Sequence, residues 1–183
     1  MLVIKDLYSD ISDCFWLFYG SKYKQELFIA VVDKFWFSTQ NPRNKFTETN
    51  GTFAEFIDEY VRGVQRTMDM LGDLIGAERE KVAQGKFTYH AQYFHFLFQL
   101  LQYDPDAKEK LRNLVDGDYA YWRAAIQRAI ATGELREDVD VEDAVVMFRQ
   151  VYMGLSFEMA FMGGLNTQRL AKHLHAVYSL LKR

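Results

Sequence analysis

One cysteine, Cys14, leaves no partner for an intrachain disulfide, and two prolines, Pro42 and Pro105, are too few for a loop-rich fold. Positive charge is not in excess: 22 Lys and Arg stand against 25 Asp and Glu, a net charge of −3. Such a balance gives no support to general affinity for nucleic acid, and any contact with DNA has to be local. No apolar run reaches bilayer-spanning length, and Lys5, Asp6 and Asp10 interrupt the stretch where a signal peptide needs an apolar core. These absences predict a soluble protein of a reducing compartment, cytoplasmic and without a membrane partner. Strand-like alternation does not persist anywhere, and no repeat or low-complexity segment is visible. Chemistry-bearing patterns are also missing. Gly163-Gly164 runs into Leu165-Asn166 and reads as a turn, not as a phosphate-cradling loop. His90 and His95 are five apart, and His173 and His175 two apart, so neither pair shares a helix face as metal ligands would. Cys14 has no histidine at informative spacing and reads as a free thiol, and Glu78 to Lys81 reads as a solvated helix face. No metal, no cofactor and no enzyme activity are expected.

What is present is apolar and aromatic: 49% of the 183 residues are hydrophobic and 16% aromatic, enough for one full domain with a sizeable core. Helical periodicity dominates. Short helices are expected over 4–9 and 12–19, then a longer one from Lys22 to about Thr39 capped by Ser21, with an apolar stripe of Val31, Val32, Phe35 and Trp36. Asn41-Pro42-Arg43-Asn44 should end it, and the polar stretch 45–51 is the best candidate linker. Thr52 and Glu55 form a capping-box pattern opening a helix to about Ile75. The segment from Thr88 to Leu101 is apolar on nearly every side, as a buried central helix would be. Asp104-Pro105 offers an N-cap and N1 for a helix to Thr132 with a possible break near Gly117, and Gly133 closes it. Two apolar helices finish the chain, over about 141–162 and 167–182. The first aligns Phe148, Tyr152, Leu155, Met159 and Met162 on one face, and the second Leu170, Leu174, Val177 and Leu181. Such apolar terminal helices suggest a surface awaiting a second copy of the chain.

Two stretches carry a family resemblance. Lys24-Gln25-Glu26-Leu27-Phe28-Ile29-Ala30-Val31 is similar to the motif opening the fourth helix of the tetracycline-repressor (TetR) family. Residues 129–140, with Gly133-Glu134-Leu135-Arg136-Glu137-Asp138 at their centre, resemble the turn before that family's last two helices. The resemblance implies an all-α bundle, with a helix-turn-helix-like head and connecting helix over 1–40 and a ligand-binding and dimerisation domain over 41–183. The last two helices would form a four-helix bundle with their mates in a homodimer, through Phe148, Tyr152, Leu155, Met159, Leu170, Leu174, Val177 and Leu181. It implies a repressor released from its DNA operator by a small apolar or aromatic effector. Tyr60, His90, Tyr93, Phe94, Phe98 and Trp122 are the expected pocket wall, although ordinary core packing accounts for the same aromatic pattern.

Against the family pattern, Met1 falls almost on what resembles the second helix, and Ile11-Ser12 on the start of the recognition helix. Asp10 stands where a glycine is usual, and residues 11–20 hold Asp13 and no Lys or Arg. Ser12, Tyr19, Lys22 and Lys24 are the local groups able to reach DNA. A truncated or diverged head and weak operator binding are therefore expected. The alternative is a ligand-binding helical dimer that has lost sequence-specific DNA recognition.

Overall fold

A computed structural model describes residues 22–46, 51–75 and 89–183, the side chains of 22–24, 71–75, 89–92 and 95 excepted. The short helices expected over 4–9 and 12–19, with Ser12 and Tyr19, lie outside these residues. Helix α1 (Lys22–Val31) continues through a π-helical turn (Val32–Trp36) into α2 (Phe37–Gln40). Phe28, Val32 and Trp36 are buried four residues apart, a spacing that drifts around a regular α-helix. The wider π turn, in which the Phe37 N–H donates to the Val32 carbonyl, offsets that drift and keeps all three on one face. Asn41 is extended, with φ −52° and ψ 129°, as a residue before proline must be.

The helix ends at Gln40, as 41–44 predicts, but Lys45 and Phe46, expected to open a linker, belong to the packed structure. Asn41 caps a further short helix, α3 (Pro42–Lys45), its side-chain oxygen accepting from the Arg43 N–H at 3.0 Å. Lys45 and Phe46 are buried, so the chain over 41–46 is a corner packed into the core.

Helix α4 (Phe53–Ile75) starts as its capping box requires: the Thr52 N–H donates to Glu55 Oε2 at 2.8 Å and the Glu55 N–H to Thr52 Oγ1 at 3.2 Å. Gly63 in α4 faces the backbone of α3 so closely that a Cβ would sit 2.0 Å from the Lys45 carbonyl oxygen. Helix α5 (Tyr89–Tyr103) buries Phe96 and Leu100 but leaves Phe98 64% exposed, so it lies against the bundle and is not the all-round buried helix expected. Helix α6 (Ala107–Ala131) begins two residues later than predicted, with Asp106 at its N-cap. Asp104 instead forms a local turn, accepting from the Asp106 N–H at 2.9 Å. The helix runs through Gly117 unbroken; that glycine lets Pro42 approach to 2.8 Å of a would-be Cβ.

Gly133, at φ +75°, ends α6 in a Schellman arrangement, its N–H donating to Ile130 and that of Glu134 to Ala129. Asp140 and Asn166 cap α7 (Val141–Ala160) and α8 (Thr167–Leu181) through their side chains. The α6–α7 turn is a clasp: Leu135 forms an isolated bridge with Lys182, and the Arg136 N–H donates to the Leu181 carbonyl at 3.1 Å.

Two buried clusters result. The larger joins α4, α6, α7 and α8 around Trp122, which stacks on Phe148 at 4.8 Å. The smaller joins Phe28, Val32 and Trp36 to Phe96, Leu100 and Ala107, docking the α1 helix on α5 and α6.

Candidate functional site: a buried polar centre

Five elements deliver polar side chains to one buried region: Lys45 from α3, Tyr60 from α4, Tyr93 from α5, Asp118 and Trp122 from α6, and Arg149, Tyr152 and Ser156 from α7. The geometry follows from helix spacing. Asp118 and Trp122 are four apart, and Arg149, Tyr152 and Ser156 fall at offsets 0, 3 and 7, one row each. Asp118 Oδ2 lies 3.6 Å from Lys45 Nζ and 3.4 Å from Arg149 Nε, with the three side chains only 3%, 7% and 9% exposed. Both cations also lie near the Tyr152 ring, Lys45 at 5.8 Å and Arg149 at 5.4 Å.

Hydrogen bonding here is incomplete. Tyr60 OH, Asp118 Oδ1, Trp122 Nε1, Arg149 Nε and Nη1, and Ser156 Oγ are buried without a hydrogen-bond partner among the described residues. Such atoms are rare in folded proteins because each forfeits its bonds to water. Burial pushes the Tyr60 hydroxyl well above the usual tyrosine range, reinforced by Tyr152 and Asp118 and opposed by Arg149. Burial likewise raises Tyr93, with Tyr152 adding and Arg149 opposing. For Arg149, burial acts against the charge, but Tyr60, Asp118, Tyr152 and Tyr93 outweigh it, and the net direction is upward.

The predicted pocket wall divides. Tyr60 and Trp122 meet at 4.9 Å between ring centroids. Tyr93 packs 5.9 Å from Trp36 and reaches the same centre electrostatically. Phe98 points to solvent, and Phe94 belongs to an outer aromatic ladder, 5.2 Å from the half-exposed Phe157. Both depart from the expected wall because one face of α5 is turned outward. The His90 side chain and those of Lys22 and Lys24 lie outside the described residues.

The dimer residues are also redistributed. Phe148, Leu155, Met159, Leu170 and Leu174 are buried in the chain's own core, and Val177 and Leu181 pack against it. Tyr152 is part of the polar centre. Side chains buried in closing one chain's bundle have little surface left for a partner, whereas Tyr152, Val177 and Leu181 are only partly buried. The outward face of α7 instead carries Met147, Gly154, Phe157 and Phe161 at offsets 0, 7, 10 and 14, with Phe161 71% exposed.

Lys45, Asp118, Arg149 and Ser156 were missed by the sequence reading. A charge on the core-facing row was the available signal: Arg149 follows the buried Phe148 in an apolar helix, and Asp118 stands one turn before Trp122.

The described residues thus form an all-α bundle with charged and aromatic groups converging on its interior. Residues 54–174, more than half of the chain, match the family model described as Tetracyclin repressor-like, C-terminal domain. The chain therefore belongs to the tetracycline-repressor-like family through this C-terminal domain. No curated protein and no solved structure matches it. Among the described residues no helix is long and apolar enough to cross a membrane, and no group of His, Cys, Asp and Glu could hold a metal ion.

Proposed function

We propose that the chain is a ligand-controlled transcriptional regulator that acts as a cytoplasmic homodimer. The observation that carries this reading is the buried polar centre inside a domain of this family, to which five elements contribute polar groups and three of them, α4, α6 and α7, contribute unpartnered ones. Residues 1–40 would supply a DNA-binding head and connecting helix, and 41–183 the effector and dimer functions. Ser12, Tyr19, Lys22 and Lys24 are the groups proposed to touch DNA.

A route from effector to head exists in this reading. Tyr93 of α5 belongs to the polar centre and packs on Trp36, at the end of the π turn. Lys110 clamps the same region, its Nζ lying 2.6 Å from Asp33 on the π turn and 3.0 Å from Asp104. An effector that moved α5 would thus move α1, shifting the separation of the two heads between two populated states. The partner surface would be the outward faces of α7 and α8, with Met147, Phe157, Phe161 and Leu180 as its apolar groups.

The test is fluorescence anisotropy on DNA fragments selected from a random pool, followed by titration with compounds that raise the melting temperature. Sequence-selective binding, weak because residues 11–20 carry no Lys or Arg, that such a compound reverses is the expected result. Binding without sequence preference would overturn the regulator reading and favour the dimeric binding module, which the acid-bearing, base-free stretch 11–20 already suggests.

A further inference from the structure

Among the described residues two cations and one carboxylate share the buried centre, so one positive charge is left over where side chains are at most 9% exposed. An isolated buried charge is costly, and a protein keeps one where something of opposite sign completes it. The unpartnered atoms agree in kind. Arg149 Nη1, Trp122 Nε1 and Arg149 Nε, the last ion-paired with Asp118 but not hydrogen-bonded, can only donate, and the Tyr60 and Ser156 hydroxyls can donate as well as accept. Against them stands one orphaned acceptor, Asp118 Oδ1. A neutral apolar guest would leave every one of these groups unsatisfied. A cation would meet two like charges.

We infer that this centre binds the anionic head of an aromatic organic acid, its carboxylate accepting from Arg149, Trp122 and the flanking hydroxyls. Arg149 offers the planar fork that pairs with a carboxylate, and Lys45 supplies a second positive charge beside Asp118. Trp122, stacked on Phe148 at 4.8 Å and edge-on to Tyr60 at 4.9 Å, provides the aromatic surroundings for the ligand's body. Asp118 has a distinct part. It holds both cations in place from a single oxygen, and its free Oδ1 accepts from a hydroxyl on a ligand that carries one. The effector expected from the sequence was apolar or aromatic; the structure adds a negative charge to it. This inference rests on the effector-binding half of the proposed function, not on DNA recognition.

The full chain should be tested by calorimetric titration at constant ionic strength with three matched series: benzoate, phenylacetate, 3-phenylpropionate and 1-naphthoate, their primary amides, and the corresponding primary amines. At least one carboxylate is expected to bind, and to bind on the order of ten- to a hundredfold tighter than its amide, the margin of a hydrogen bond to a charged group. Amines should not bind measurably. Arg149→Gln should reduce the carboxylate to the affinity of its amide, and Arg149→Lys should restore part of the difference. Lys45→Met offers a second variant should either Arg149 variant fail to fold, and the wild-type comparison of charge states needs no variant at all. Amides or amines that match the carboxylates would overturn the inference while leaving a ligand-binding regulator standing. Absence of binding in all three series would overturn it too, with the regulator reading then decided by the DNA experiment alone.

Discussion

Glu134 shows how one side chain of the family-like turn earns its position. Its Oε2 accepts from the Phe53 N–H at 2.8 Å and its Oε1 from the Ala54 N–H at 3.4 Å, so it caps α4 from a segment 80 residues away. The same carboxylate accepts from the Tyr178 hydroxyl at 2.8 Å. Free N–H groups and the helix dipole favour a negative charge there. Glu134→Gln removes the charge and one of the two acceptors, and should cost about 1–2 kcal/mol, or roughly 2–8 °C in melting temperature for a chain of this size. Burial, with the Glu134 hydrogen bond and charge, pushes the Tyr178 hydroxyl up to about 12 from its ordinary 10.0. The fold thus favours the neutral phenol. Its contribution is complete below pH 10 and is lost as the pH rises from there toward 12, because the unfolded chain gives up its proton first. Tyr60 and Tyr93, also raised, act with the same sign. Denaturant titrations should show stability falling steeply above pH 10, with phenolate absorbance rising together with unfolding. In Glu134→Gln the Tyr178 part of that loss should begin at lower pH, and an unchanged profile would remove Glu134 from the account.

At the scale of elements, the decisive contacts are close approaches of backbone. Gly63 is in the middle of α4, where Gly→Ala ordinarily gains about 0.5–1 kcal/mol. Here the added methyl would sit 2.0 Å from the Lys45 carbonyl oxygen, and neither α3 nor α4 can yield without carrying Lys45 away from Asp118. Overpacking of this kind costs about 1–3 kcal/mol, so the sign of the substitution reverses. Gly63→Ala should lower the midpoint of chemical denaturation without altering its slope, and a higher midpoint would show the approach to be looser than described. The π turn that follows α1 works by the same logic: it aligns Phe28, Val32 and Trp36 with α5 and α6, which seats this helix on the bundle.

For the whole molecule, the question is which apolar residues close the chain on itself and which are left for a partner. Leu174 is fully buried, whereas Phe161, Met162 and Leu180 are 71%, 73% and 67% exposed. Leu174→Glu should therefore unfold the protein rather than separate two subunits. Phe161→Glu with Leu180→Glu should leave the helical circular dichroism unchanged and convert a dimer to a monomer in sedimentation velocity. Gly154 supports the assignment, for nothing lies within 4 Å of its would-be Cβ and a second helix could pass close there. A wild type that sediments as a monomer at micromolar concentration would remove the dimer from the proposed function.

Much was legible in the sequence by itself: the all-α class, the capping box at Thr52 and Glu55, the glycine cap at Gly133, and the order of the helices. These depend on local spacing and on the conformational limits of single residues, which neighbouring positions encode directly. The family likewise lay in local motifs. Tertiary structure alone decided the rest. Periodicity tells that Phe148, Leu170 and Leu174 share a stripe, but the same stripe serves a core or an interface equally well, and the packing of α4 and α6 against it settled the matter. Phe94 and Phe98 read as pocket wall until α5 was seen to turn one face outward. Lys45 looked like the start of a linker. Its burial beside Asp118 and Arg149 brings together residues 31 and 73 positions apart, and a charge distributed over three helices has no signature in any one of them.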